Sequence, residues 1–86
     1  MPRYMALIDG KTGEYGVVFP DLPGCTAMGK TVEQAIANAA EALSDWIQIG
    51  KAYGDRVPEP RSFPKLLDDP DVIQAIDDGA MVAAIG

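Results

Sequence analysis

The sequence predicts an α+β domain: an antiparallel three-stranded meander, a main helix, a short second helix and a final strand. Two observations carry that expectation. Short β-branched or alternating runs, punctuated by glycine and proline turns, occupy positions 3–29. An apolar stripe of helical period, signalled at both ends, follows them. With 86 residues the chain is expected to be one domain, 1–86, without room for a second hydrophobic core.

The first strand is read over residues 3–9 and ends in the turn cluster Asp9-Gly10-Lys11-Thr12-Gly13-Glu14. Residues 15–19, Tyr-Gly-Val-Val-Phe, return alongside it. Pro20-Asp21-Leu22-Pro23-Gly24 breaks the ladder, because proline has no amide to donate and glycine permits a sharp turn. Residues 25–28 make a third short strand, closed by Gly29. Thr31 is then an N-cap, with Gln34 completing a capping box. Val32, Ala35, Ile36, Ala39, Ala40, Leu43, Trp46 and Ile47 share one helix face; Glu33, Asn38, Glu41 and Asp45 lie on the other. Gly50 occupies the expected position just past the helix end.

Alternate prolines in residues 51–65 favour an extended strap with no element of its own. Asp69-Pro70 reads as the start of a shorter helix with Val72, Ile73 and Ile76 on its apolar side, ended by Gly79. Met81-Val82-Ala83-Ala84-Ile85 is a short apolar run that fits a buried strand. Returning after a helical crossover, this strand is expected beside the first one and parallel to it. Tyr4, Ala6 and Ile8 alternate with Met5 and Leu7, so both sheet faces are apolar, yet one helix covers one face. The second face needs the strap and short helix, a second copy or a partner, and self-association into a dimer or larger assembly is expected.

Composition narrows the function. A net charge of −6 repels nucleic-acid backbones and attracts a basic protein. No run approaches the ~18 apolar residues of a membrane span, and the start of the chain lacks the apolar core of a signal peptide. One cysteine, Cys25, and no histidine exclude an internal disulfide and a structural zinc site, which fits a reducing cytoplasm.

Catalytic patterns are missing. Without histidine there is no Ser-His or Cys-His pair, and Cys25 has no neighbouring base. Gly10, Gly13 and Gly16 do not form a phosphate-binding fingerprint. Asp9, Asp21, Glu33 and Glu41 are available to hold Mg²⁺ in a nuclease-like site, but they fall in turns and on the solvated helix face. Tyr4, Tyr15 and Phe19 lack the interleaved basic residues of an RNA-stacking platform, so core packing is the expected role. No enzyme activity and no cofactor are expected.

The segment Tyr15-Gly-Val-Val-Phe-Pro-Asp-Leu-Pro-Gly-Cys25 closely resembles the signature of HicB-like antitoxins. Residues 29–43, from Gly29-Lys-Thr-Val-Glu to Glu-Ala-Leu43, and Val57-Pro-Glu-Pro-Arg-Ser62 are similar to that family's helix and strap, in the same order and spacing. The resemblance implies a partial ribonuclease-H-like β-β-β-α-β domain without catalytic acids, which binds a small basic HicA-type toxin, an mRNA-cleaving protein, and covers its active site. Contacts are expected around the Phe19–Cys25 turn, through Phe19, Asp21, Leu22 and Pro23, and on the acidic helix face through Glu41 and Asp45. A purely structural role for that turn, with Phe19 and Leu22 anchored in the core, is the competing reading. Many relatives continue into a C-terminal DNA-binding domain; with the chain ending at Gly86, none is expected here, nor binding to DNA. The rival function is a stand-alone, homo-oligomeric ligand-sensing module.

Overall fold

The computed structural model describes residues 3–86; Met1 and Pro2, with which the expected domain begins, lie outside the described residues. Its elements are β1 (Tyr4–Lys11), β2 (Glu14–Val18), β3 (Thr26–Gly29), α1 (Val32–Ala52), α2 (Phe63–Leu66), α3 (Pro70–Asp77) and β4 (Met81–Ile85). They form an α+β domain with one four-stranded sheet in the order β3-β2-β1-β4. The β1–β2 hairpin turns at Lys11–Glu14, where Gly13 has φ +91°, a conformation that costs other residues dearly.

Alternation along the strands builds two layers. Tyr4, Ala6 and Ile8 of β1, Val17 of β2 and Ile85 of β4 face α1, where Ala35, Ala39 and Leu43 meet them in the main core. The two alanines, one turn apart, let the helix lie close to the sheet. Gly29 makes that approach tightest: a Cβ there would press into the backbone of Ala35, 2.6 Å from its Cα. Leu43 is nearly fully buried, and removing its side chain from water contributes about 1.5–3 kcal/mol. Trp46 and Ile36 are half-buried at the margin, whereas Ala40, assigned to the apolar face from the sequence, is exposed.

The opposite face carries Leu7, which packs with Leu66 of α2 and Val72 of α3 in a second, smaller core; Met5, Ala75, Ile76 and Val82 border it. The short helices therefore cover the β1–β4 half of this face from within the chain. Val18 and Met28, on the β2–β3 half, stay exposed at 46% and 71%.

Three expectations are corrected. β4 pairs with β1 as predicted, but antiparallel, with Tyr4 opposite Ile85 and Ile8 opposite Met81. The parallel rule holds for a crossover on one face; here the strap carries the chain from the α1 face to the α3 face, and α3 returns it from the other end. Gly50 lies inside α1, not beyond it. A Cβ there would make only an ordinary contact with Cγ2 of Val57 in the strap, at 3.4 Å, and Asp55 N–H donates to the Gly50 carbonyl at 2.8 Å. The helix stops instead at Tyr53, followed by Gly54 at φ +73°. Finally, the end of the strap is helical: Pro64 falls in the first turn of α2, where a missing amide costs nothing.

Candidate partner-binding site

The Phe19–Cys25 turn is built inward. Leu22 N–H donates to the Phe19 carbonyl and Cys25 N–H to the Leu22 carbonyl, both at 3.0 Å, so two tight turns follow one another. Gly24 supplies the positive φ of +95° that the second requires. This winding drives Phe19, Leu22 and Cys25 into the main core, where Leu22 is fully buried. Leu22 has no surface to offer, and Phe19 shows only an edge. Pro23 is exposed. Burial pushes the Cys25 thiol pKa up, which keeps it protonated and unreactive.

Asp21 points toward the strap. Its carboxylate accepts the Arg61 backbone N–H at 2.7 Å and the Arg61 Nε, and its side chain is only 5% exposed. The same guanidinium reaches Asp69 at 3.4 Å, while Asp69 caps α3 by accepting from Asp71 N–H at 3.0 Å. The Asp21 hydrogen bond, followed by both charges, raises the Arg61 pKa, so this cation is permanent. One arginine thus ties the turn, the strap and α3 together. At the strap's other end Tyr4 Oη donates to the Pro58 carbonyl at 2.6 Å. Desolvation above all, with Glu59 and Asp21 adding, raises the Tyr4 pKa. Arg61 was visible in the sequence only as part of the strap motif, because nothing local to it announces a partner 40 residues away.

Between the turn, the sheet and α3 lies an open groove of about 340 Å³, lined by Leu7, Val18, Phe19, Pro20, Pro23 and Val72, with Asp69 and Asp71 at its margin. Apolar walls with an acidic lip suit a partner that brings an apolar side chain and a positive charge together. Glu41 and Asp45 are exposed on α1, which covers the other face of the sheet. The six residues singled out from the sequence are therefore divided: Phe19 and Pro23 line the groove, Asp21 braces it from behind, Leu22 is core, and Glu41 with Asp45 form a separate acidic surface. Among the described residues no three acidic or sulfur side chains converge to hold a metal ion. No helix among them is long and apolar enough to cross a membrane.

A family model described as the HicB-like antitoxin of bacterial toxin–antitoxin systems matches residues 4–84, nearly the whole chain. The chain belongs to the HicB-like antitoxin family. The chain is 39% identical, over 65% of its length and 83% of the relative's, to a UPF0150 protein of Thermoplasma acidophilum. It is 29% identical to a 14.9 kDa protein of Haemophilus phage HP1, over 79% of this chain and about half (51%) of that one. The HicB-like fold is shared with the crystal structure of the Burkholderia pseudomallei antitoxin HicB, with a TM-score of 0.80 and 26% identity; all of this chain is covered, but only 63% of that protein. A structure of a HicA3 and HicB3 toxin–antitoxin complex matches at TM-score 0.76 and 25% identity over 98% of this chain and 95% of that one.

Proposed function

We propose that this HicB-like chain is the antitoxin of a type II toxin–antitoxin pair, and that it binds and neutralises a small basic HicA-type toxin that cleaves mRNA. The observation that carries the reading is the match of 98% of this chain to a chain of a HicA3–HicB3 complex, on top of family membership. Electrostatics support it. A protein that cleaves RNA needs a positive surface to hold phosphate, and a chain of net charge −6 competes for that surface. On this reading the chain acts in the cytoplasm, as a stoichiometric binder and not as an enzyme, and it does not itself bind nucleic acid. Its contacts come from the groove beneath the Phe19–Cys25 turn, through Pro23, Val18 and Asp71, or from Glu41 and Asp45 on α1.

Co-expression tests this directly. A small basic protein is expected to be encoded beside this gene, to arrest growth when expressed alone and to be silenced, in a purifiable complex, when this chain is present. A harmless neighbour, or one that stays toxic and unbound, removes the antitoxin assignment.

A further inference from the structure

The two edges of the sheet are finished differently. At the β3 edge the Met28 carbonyl accepts a hydrogen bond from Asn38 Nδ2 of α1 at 2.7 Å. The β4 edge has no such cover. Met81–Ile85 pairs with β1 on one side, and among the described residues nothing bonds to the backbone groups on its other side. Natural edge strands are usually blunted by charge, proline or a bulge, because a bare row of amides and carbonyls templates another strand. Met-Val-Ala-Ala-Ile has none of these.

We propose that β4 is the surface through which two copies of this chain join, antiparallel and centred on Ala83, doubling the four-stranded sheet. The strand is complementary to itself in that register. Met81 of each copy falls opposite Ile85 of the other, and Val82 opposite Ala84, so larger side chains meet smaller ones in the middle. Met81 is 43% exposed on the same face on which Ile85 is buried. A second strand covers the exposed methionine with the flank of the main core. Clearance favours this edge as well: α1 packs chiefly over β3 and β2 and touches β4 only lightly, and α3 lies against β1.

Charge selects the occupant. A basic partner is drawn to the acidic groove or helix face, and β4 offers it no carboxylate. A second copy, repelled at long range by the net charge of −6, needs a neutral strip of short-range contacts, and β4 is one. The antiparallel register also sets the two copies' Asp77 and Asp78 at opposite ends of the pairing. This inference stands apart from toxin binding, since it uses a different edge of the molecule.

Sedimentation of the whole chain at micromolar concentration is expected to give twice the 9.1 kDa chain mass. Ala84→Lys, at an exposed position of β4, places two lysines about 7 Å apart diagonally across the joint and is expected to halve that mass without altering the circular dichroism spectrum. Met28→Lys, at the capped edge, should leave the dimer whole. In the unsubstituted chain, β4 amides that do not pair with β1 should lose their protection from hydrogen exchange on dilution, while those bonded to β1 keep it. A monomer throughout the concentration range overturns the proposal, as does an assembly that Ala84→Lys leaves intact. Should that variant unfold, the exchange measurement decides: outward amides of β4 that remain unprotected in a dimer place the joint elsewhere.

Discussion

Arg61 is the residue on which the groove side of the molecule depends, because its guanidinium and backbone amide hold Asp21 while it reaches toward Asp69. Removing it strands a carboxylate that is nearly shielded from water. Arg61→Ala is expected to cost about 1–3 kcal/mol in urea denaturation and to raise hydrogen exchange through residues 57–62. Lysine at this position keeps the charge but not the fork, so Arg61→Lys should recover part of the loss. Gly29 makes a sharper test of backbone proximity. Gly29→Ala must push β3 away from α1 and should destabilise by several kcal/mol, about 2–4 for an overpacked core contact. Gly16→Ala, whose new Cβ meets only the Asp9 carboxylate at 3.5 Å, should be mild. Tyr4 and Cys25 set the alkaline limit. Both pKa values are raised in the fold, so the stabilisation from keeping them neutral is complete below their ordinary values of 9.0 for Cys25 and 10.0 for Tyr4, and is lost as pH climbs through the raised ones. Urea midpoints should fall steadily above pH ~9, and Tyr4→Phe combined with Cys25→Ala should flatten that fall.

Among the elements, those whose signals are local were legible. Thr31 does accept the Gln34 amide, at 3.0 Å, and Asp69 with Pro70 opens α3 as read; Gly79, at φ +102°, follows its end. The three meander strands fall within two residues of their predicted bounds because hairpin glycines and prolines mark them. What escaped depended on distant contacts. Gly50 reads as a stop signal, yet the helix runs on to Ala52, and the Gly50 carbonyl takes the Asp55 amide where the strap turns back. The direction of β4 follows from the strap changing faces, which no window of residues records. Likewise the groove is assembled from β1, β2, the turn and α3, whereas Phe19 and Leu22, prominent in the motif, serve mainly the interior. The helix stripe itself was sound at its centre and blurred at its margin. Leu43→Ala is therefore the proper test of α1: it should cost about 2–5 kcal/mol, measured as a shift in denaturation midpoint at constant slope. Ala40, exposed, should tolerate glutamate with little change.

At the scale of the whole molecule, charge and shape predict different parts of the binding kinetics. On the proposed function, a net charge of −6 attracts a basic toxin at long range and speeds encounter, while contacts made at short range, in the apolar groove if it is the interface, govern escape. Raising salt from about 50 to about 500 mM shortens the screening length from roughly 14 to 4 Å, so the association rate should fall steeply and the dissociation rate little. Two sets of variants then separate the candidate surfaces, which lie on opposite faces of the sheet. Glu41→Lys with Asp45→Lys reverses charge on α1 without touching the core, since both side chains are exposed. Val18→Lys with Asp71→Lys alters the groove wall and lip, again at exposed positions. If the groove holds the toxin, the second pair should raise the dissociation rate about tenfold or more, equivalent to ~1.4 kcal/mol or more, whereas the first pair should chiefly slow association. Surface plasmon resonance on the purified neighbour protein gives both rates in one experiment. A dissociation rate moved by the helix pair and untouched by the groove pair would assign the interface to α1, leaving the Phe19–Cys25 turn as a structural anchor for the strap.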